Sequence, residues 1–234
     1  MALIKSSISR GIDRESLWLM TYISLFTSLL AFFILSVTMV ELEGSEVRRN
    51  FQKIQHDLYL QVVMHKKRLN LDWLEVEETV TKGTRLTLRS DRLNSQEIFK
   101  KGSDKINSPW LGELQSLVIL LNQLHLEDLN TRYANLLDPV ERSGFSIDAQ
   151  LLIEGHTDEQ PMSSARFPSN WELSTARALQ VQQFLQTRTA LSERQFSIAG
   201  LGSFRPSKDI KDYANNRRVE IYINAQLIAK DIQQ

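Results

Sequence analysis

From Leu17 to Val40 the chain carries no charged residue. A helix of roughly 20 such residues crosses a bilayer, so residues 17–40 are predicted to form a single transmembrane helix. The run closes Val37-Thr38-Met39-Val40-Glu41, without the small-x-small pattern of a cleaved leader. Beyond it, Val47, Phe51, Ile54, Leu58 and Val62 recur at helical spacing and predict an amphipathic connector over residues 41–84, which Gly83 ends.

Residues 85–226 then read as one outer domain, followed by a tail at 227–234. Thr84–Arg89 alternates polar and apolar as a strand does. Pro109 opens a helix whose stripe is Leu111, Leu114, Leu117, Val118, Leu121 and Leu124. Residues 127–146 read as a helical insertion broken at Asp138-Pro139 and at Gly144. A second strand is expected over Ala149–Glu154, with His156 and Asp158 just past its end. Ser169 and Glu172 form a capping box for a helix over Asn170–Arg188. A third strand spans Phe196–Ala199, and a last one spans Arg217–Asn224 with Val219, Ile221 and Ile223 inward. The fold class is α+β: one membrane helix, a helical connector, and helices on a mixed sheet.

The net charge is zero, which removes any global argument for a nucleic-acid partner. There is no cysteine, so disulfides, thiol catalysis and thiolate metal sites are excluded. Lys5, Arg10 and Arg14 precede the span, and Glu41, Glu43 and Glu46 follow it. Positive flanks stay cytoplasmic, which predicts a cytoplasmic tail over residues 1–16 and an outer domain in the periplasm. Within the span Thr21, Ser24, Ser28 and Ala31 share one stripe, as small residues do where membrane helices meet.

Two arginines break the core pattern. Arg177 lies on the helix face of Leu173, Val181 and Phe184, and Arg217 on the strand face of Val219 and Ile221. Arginine is almost never buried alone. Asp158 at the strand tip is a candidate anion. One carboxylate beside guanidiniums suits a zwitterionic ligand, its ammonium on Asp158 and its carboxylate on the fork of Arg177. An internal salt bridge without a ligand fits the same pattern. Glu154, His156 and Asp158 alternate as metal ligands could, but neither a metal nor a cofactor is expected. No nucleophile elbow or phosphate loop stands out, and no enzyme is expected.

The span sequence Trp18-Leu19-Met20-Thr21-Tyr22-Ile23-Ser24, continuing to Ala31-Phe32-Phe33, resembles the membrane helix of the flagellar stator B subunits, MotB and PomB. The family's ion-carrying aspartate falls at Ser24. A serine cannot exchange a proton near neutral pH as an intramembrane carboxylate can. Gly155-His156-Thr157-Asp158, Leu173-Ser174, Arg177-Ala178, Gly200-x-Gly202, Pro206 and Asn216-Arg217-Arg218-Val219 resemble the OmpA-like peptidoglycan-binding domain. Phe167–Ser174 is similar to its MotB-type subgroup.

The resemblance implies a βαβαβ-type fold and a ligand in the diaminopimelate-bearing stem peptide of peptidoglycan. Asp158 would take the amine and Arg177 the carboxylate, with Thr157, Asn170 and Arg217 lining the site. It also implies a homodimer threaded into a MotA-like multi-span partner in the inner membrane. The connector would be a plug on the channel mouth or a spacer helix paired with its copy. A plain membrane-to-wall tether, or a stator-like unit of a non-flagellar envelope or defence system, remain alternatives, and Ser24 favours the tether.

Overall fold

The computed structural model describes the backbone of residues 2–89, 97–142, 144–206 and 216–229. The chain divides into two units, Met1–Arg49 and Asn50–Gln234. Helix α1 (Ala2–Arg68) begins in the first and ends in the second.

In the first unit, Leu17–Met39 is long and apolar enough to cross a membrane, and its large apolar side chains are exposed. Its threonines return their hydroxyl protons to the helix itself. Thr21 Oγ1 donates to the Trp18 carbonyl at 2.7 Å, and Thr38 Oγ1 donates to the Leu35 carbonyl at 2.9 Å. In hydrocarbon such groups have no water to turn to. Ser24, Ser28 and Ala31 are exposed. The flanking charges Lys5, Arg10, Arg14, Glu41, Glu43 and Glu46 lie outside the described side chains.

The second unit is built on a five-stranded sheet in the order β1-β2-β5-β3-β4. Its strands are β1 (Leu74–Thr79), β2 (Gly83–Leu88), β3 (Phe145–Gly155), β4 (Phe196–Gly200) and β5 (Val219–Ala229). All neighbours pair antiparallel except β3 and β4, which are joined by the crossover helix α5 (Asn170–Gln186). Central register places Leu86 and Ile153 on either side of Ile221, and all three are fully buried. α2 (Ser108–Gln123), with Pro109 in its first turn, adds Trp110, Leu114, Leu117 and Leu121 to the core. Two shorter helices, α3 (Leu129–Arg132) and α4 (Ala134–Arg142), precede β3.

Several expectations change here. The amphipathic positions Ile54, Leu58 and Val62 are fully buried inside the second unit. Gln55 Nε2 donates to the Ala225 carbonyl at 2.9 Å, and Asn50 Nδ2 to the Leu136 carbonyl at 3.1 Å. The end of α1 thus packs as part of the folded unit. β1 stands inside the stretch read as connector, closed onto β2 by a turn in which Gly83 takes φ +75°. α4 runs through Asp138-Pro139 where a break was expected. Leu111, assigned to the apolar stripe, is exposed, and Trp110 fills the core instead. β5 reaches Ala229, into the expected tail; residues beyond it lie outside the described chain.

Two glycines set the height of α5 above the sheet. A Cβ on Gly155 would lie 2.1 Å from the Ser174 carbonyl oxygen, and one on Gly200 would lie 2.5 Å from the Thr175 amide. Backbone cannot yield that far. Gly155→Ala is expected to destabilise the fold by about 2 kcal/mol or more through overpacking. Chemical denaturation followed by circular dichroism in detergent measures this, and an unchanged midpoint would contradict the packing.

Candidate functional site

The tight seat of α5 brings its first turns against the loop that leaves β3. Ser169 caps the helix by accepting from the Trp171 amide, and its hydroxyl bonds Glu172. Ser174, fully buried, accepts from the Gly202 amide at 2.9 Å. Thr157 N donates to the Gly202 carbonyl at 2.8 Å. The segment Thr157-Asp158 is therefore held between α5 and the chain leaving β4. A second wall comes from residues 97–107, where Phe99 and Ile106 bridge and Gly102 adopts φ +67°.

These walls enclose a cleft of about 70 Å³. Thr157, Asp158, Asn170, Arg177 and Arg217, the five candidate ligand-binding residues, all line it, with Leu173 and Met162 among the apolar contacts. Asp158 and Arg177 share the cavity.

The pairing inside differs from the expected one. Arg177 is 2% exposed. Its Nε donates to the Ser103 carbonyl at 3.0 Å and its Nη2 to the Lys100 carbonyl at 3.3 Å. It also lies over the Phe99 ring, 5.1 Å from the centroid. Burial pushes its pKa down to about 10, and Arg217 adds to this, while Asp158 and Glu97 oppose it. It remains a cation at neutral pH.

Asp158 is paired instead with Arg217, whose Nη1 donates to Oδ2 at 2.6 Å. The other arm of Arg217, Nη2, pairs with Glu97. Arg217 is not on the last strand. The β3–β5 ladder ends at Gly155 opposite Val219, and His156 N then donates to the Arg218 carbonyl. Arg217 therefore overhangs the sheet end, above the cleft. Two buried polar atoms of lining residues, Thr157 Oγ1 and Arg217 Nε, have no hydrogen-bond partner among the described residues. Buried polar atoms are rarely left so. Asn170 Nδ2 donates to the Gln160 carbonyl at 3.0 Å, holding the loop after Asp158.

On the opposite sheet face lies a second polar cluster. Glu154 takes Lys82 Nζ at 2.5 Å, and Glu220 takes Arg218 Nε at 2.7 Å and the Tyr222 hydroxyl at 2.6 Å. His156 sits 3.8 Å from Glu220. Asp158 is not part of this group; Glu220 stands in its place beside Glu154 and His156. Each carboxylate already holds a cation, so the cluster balances its own charge. Burial lowers His156 to about 4, with Arg218 and Lys82 pushing the same way against Glu220. It is a neutral imidazole, and its approach to Glu220 is not an ion pair.

The depressed value has a stability consequence. The unfolded chain takes up the proton near 6.5 and the folded one only near 4. Stability from this group is complete above the higher value and is lost as pH falls through that window. The loss is on the order of 3 kcal/mol. A melting-temperature profile from pH 7 to 4 should show the fall, and His156→Phe should reduce its slope.

Residues 128–220 match the OmpA family. The chain is 28% identical to uncharacterized protein YtxE of Bacillus subtilis (strain 168) over 94% of this chain and 93% of that one. Motility protein B of the same organism is 37% identical over 76 residues, covering 31% of this chain and 29% of that protein. Among solved structures, the cell wall anchor of the T6SS from Pseudomonas aeruginosa superposes with TM-score 0.51 at 25% identity, over 70% of this chain and 97% of that one.

Proposed function

Taking as premise a MotB-like protein with a C-terminal OmpA-like domain, we propose that the cleft binds the diaminopimelate-bearing stem peptide of peptidoglycan. The observation that carries this is the enclosure of Asp158 with Arg177 and Arg217, beside the unpartnered Thr157 hydroxyl and Arg217 Nε–H. A ligand ammonium replaces the Arg217 arm on Asp158. A ligand carboxylate then meets guanidinium donors, which are strongest when both partners are charged. Asn170 and Leu173 shape the floor. In this reading the chain is a single-pass inner-membrane protein, N-terminus cytoplasmic and cleft periplasmic, which the apolar stretch Leu17–Met39 supports.

The same premise makes the chain one subunit of a MotA/MotB-type complex. Two copies pair through the stripe of Thr21, Ser24, Ser28 and Ala31 and thread into a multi-span, MotA-like partner. Thr21 donates its hydroxyl proton to its own helix, which leaves close approach and an acceptor oxygen, rather than a donor, as that residue's contribution. A second reading, a tether that joins membrane to wall without ion drive, is favoured by Ser24, which offers no carboxylate within the span.

Asp158→Asn keeps the shape of the cleft and removes its charge. Binding of the full chain to purified sacculi is expected to fall at least tenfold, or about 1.4 kcal/mol. Undiminished pull-down by a folded variant would remove Asp158 from the site. Purification in mild detergent should recover a multi-span membrane protein with this chain under the stator-like reading. Recovery of the chain with no such partner would favour the tether.

A further inference from the structure

The buried charges around the cleft count out evenly. Asp158 and Glu97 are the anions that Arg217 grips, one with each arm, and Arg177 is the second cation. Arg177 gives one donor each to the carbonyls of Ser103 and Lys100. Lys101 adds an exposed cation at the rim, and Asp104 is paired with Arg166 at 2.8 Å.

An incoming ammonium must take Asp158 from Arg217. Were Asp158 the sole partner of that guanidinium, a ligand that took Asp158 would leave Arg217 unanchored and free to turn its donors out of the cleft. Glu97 removes this difficulty. It is two-thirds buried, with 36% of its side chain exposed, and it faces Arg217 from the loop that forms the second wall. Its backbone is held by Asn107: Asn107 Nδ2 donates to the Glu97 carbonyl at 2.6 Å, and Asn107 N donates to the carbonyl of the next residue, Ile98, at 2.9 Å.

We propose that Glu97 is a specificity-determining residue of the cleft. It keeps Arg217 in place while the ligand's ammonium occupies Asp158, so that the released arm and the unpartnered Nε–H of Arg217 receive a carboxylate carried on the same ligand. This rests on the wall-binding reading and sharpens it. The site then demands both charges: the ammonium to open the Asp158–Arg217 pair, and the carboxylate to replace Asp158 on Arg217. Charge neutrality holds before and after binding only for a ligand head of zero net charge. A ligand with the ammonium alone leaves the freed guanidinium edge unmet, and discrimination arises from that unmet group.

The test uses the full chain in detergent and two synthetic stem tripeptides. One carries diaminopimelate at its third position; the other carries lysine, with the same ammonium and no second carboxylate. Titration calorimetry should show the wild type preferring the diaminopimelate peptide by about tenfold or more. Glu97→Gln should weaken that peptide by about tenfold and the lysine peptide by less than about threefold, so the preference collapses. Glu97→Asp, which restores a carboxylate, should recover most of it. Parallel loss for both peptides in Glu97→Gln, or an unchanged preference, overturns the role of Glu97 and leaves the wall-binding reading standing. Failure of the wild type to bind either peptide overturns that reading, and this role with it.

Discussion

A guanidinium sealed from solvent has to be answered by acceptors, and Arg177 decides the form of the cleft through the acceptors it finds. It projects from α5 into the loop of residues 97–107 and takes two main-chain carbonyls there. The loop is thereby stapled to the helix. The helix is in turn stapled to the sheet, because Gly155 and Gly200 let its backbone come within the reach of a missing methyl. Asp158, one short step past the end of β3, has no freedom to lie elsewhere. A chain of close approaches thus runs from two bare glycines to a carboxylate facing two cations.

The remainder of the second unit supports that arrangement from below. The sheet separates two kinds of interior. On the α5 side, Ile153, Ile221 and Leu86 make an apolar layer. On the other, Glu154, Glu220, Tyr222 and a neutral His156 make a polar one tied by Lys82 and Arg218. The polar layer fixes the backbone of Arg218, to which His156 N is bonded, and so fixes the neighbouring Arg217 above the cleft. Two arginines adjacent in sequence therefore serve opposite faces, one structural and one turned to the cavity.

Much of this was readable in the residues and some was not. The capped start of α5 and the alternation along β3 and β5 are local signals, and they locate Asp158 and Arg177. Arg177 stood out because a cation occupied a core position of a clear helical stripe. The placement of Arg217 was misread. Its parity with Val219 is real, but the strand starts only where β3 offers a partner, and that is a long-range fact. Glu97 had no signal, since it lies in a loop 120 residues before the arginine it meets. β1 was hidden because its glutamates, Glu75, Glu77 and Glu78, made it look like a continuation of a charged connector. The helix before it looked free-standing because its apolar face did not reveal which strands would cover it.

The order of the sheet carries a consequence for how the chain matures. β5 sits in the middle, bonded to β2 on one side and β3 on the other, yet it is the last of the described strands along the chain. Until it arrives, the early hairpin and the parallel pair share no hydrogen-bonded edge, and Arg217, just ahead of it, cannot reach Asp158. A chain made from its N-terminus therefore keeps its sheet in two pieces, with Arg217 apart from Asp158, until β5 has been added. The closing of the sheet and the meeting of Arg217 with Asp158 arrive together, in a single late event.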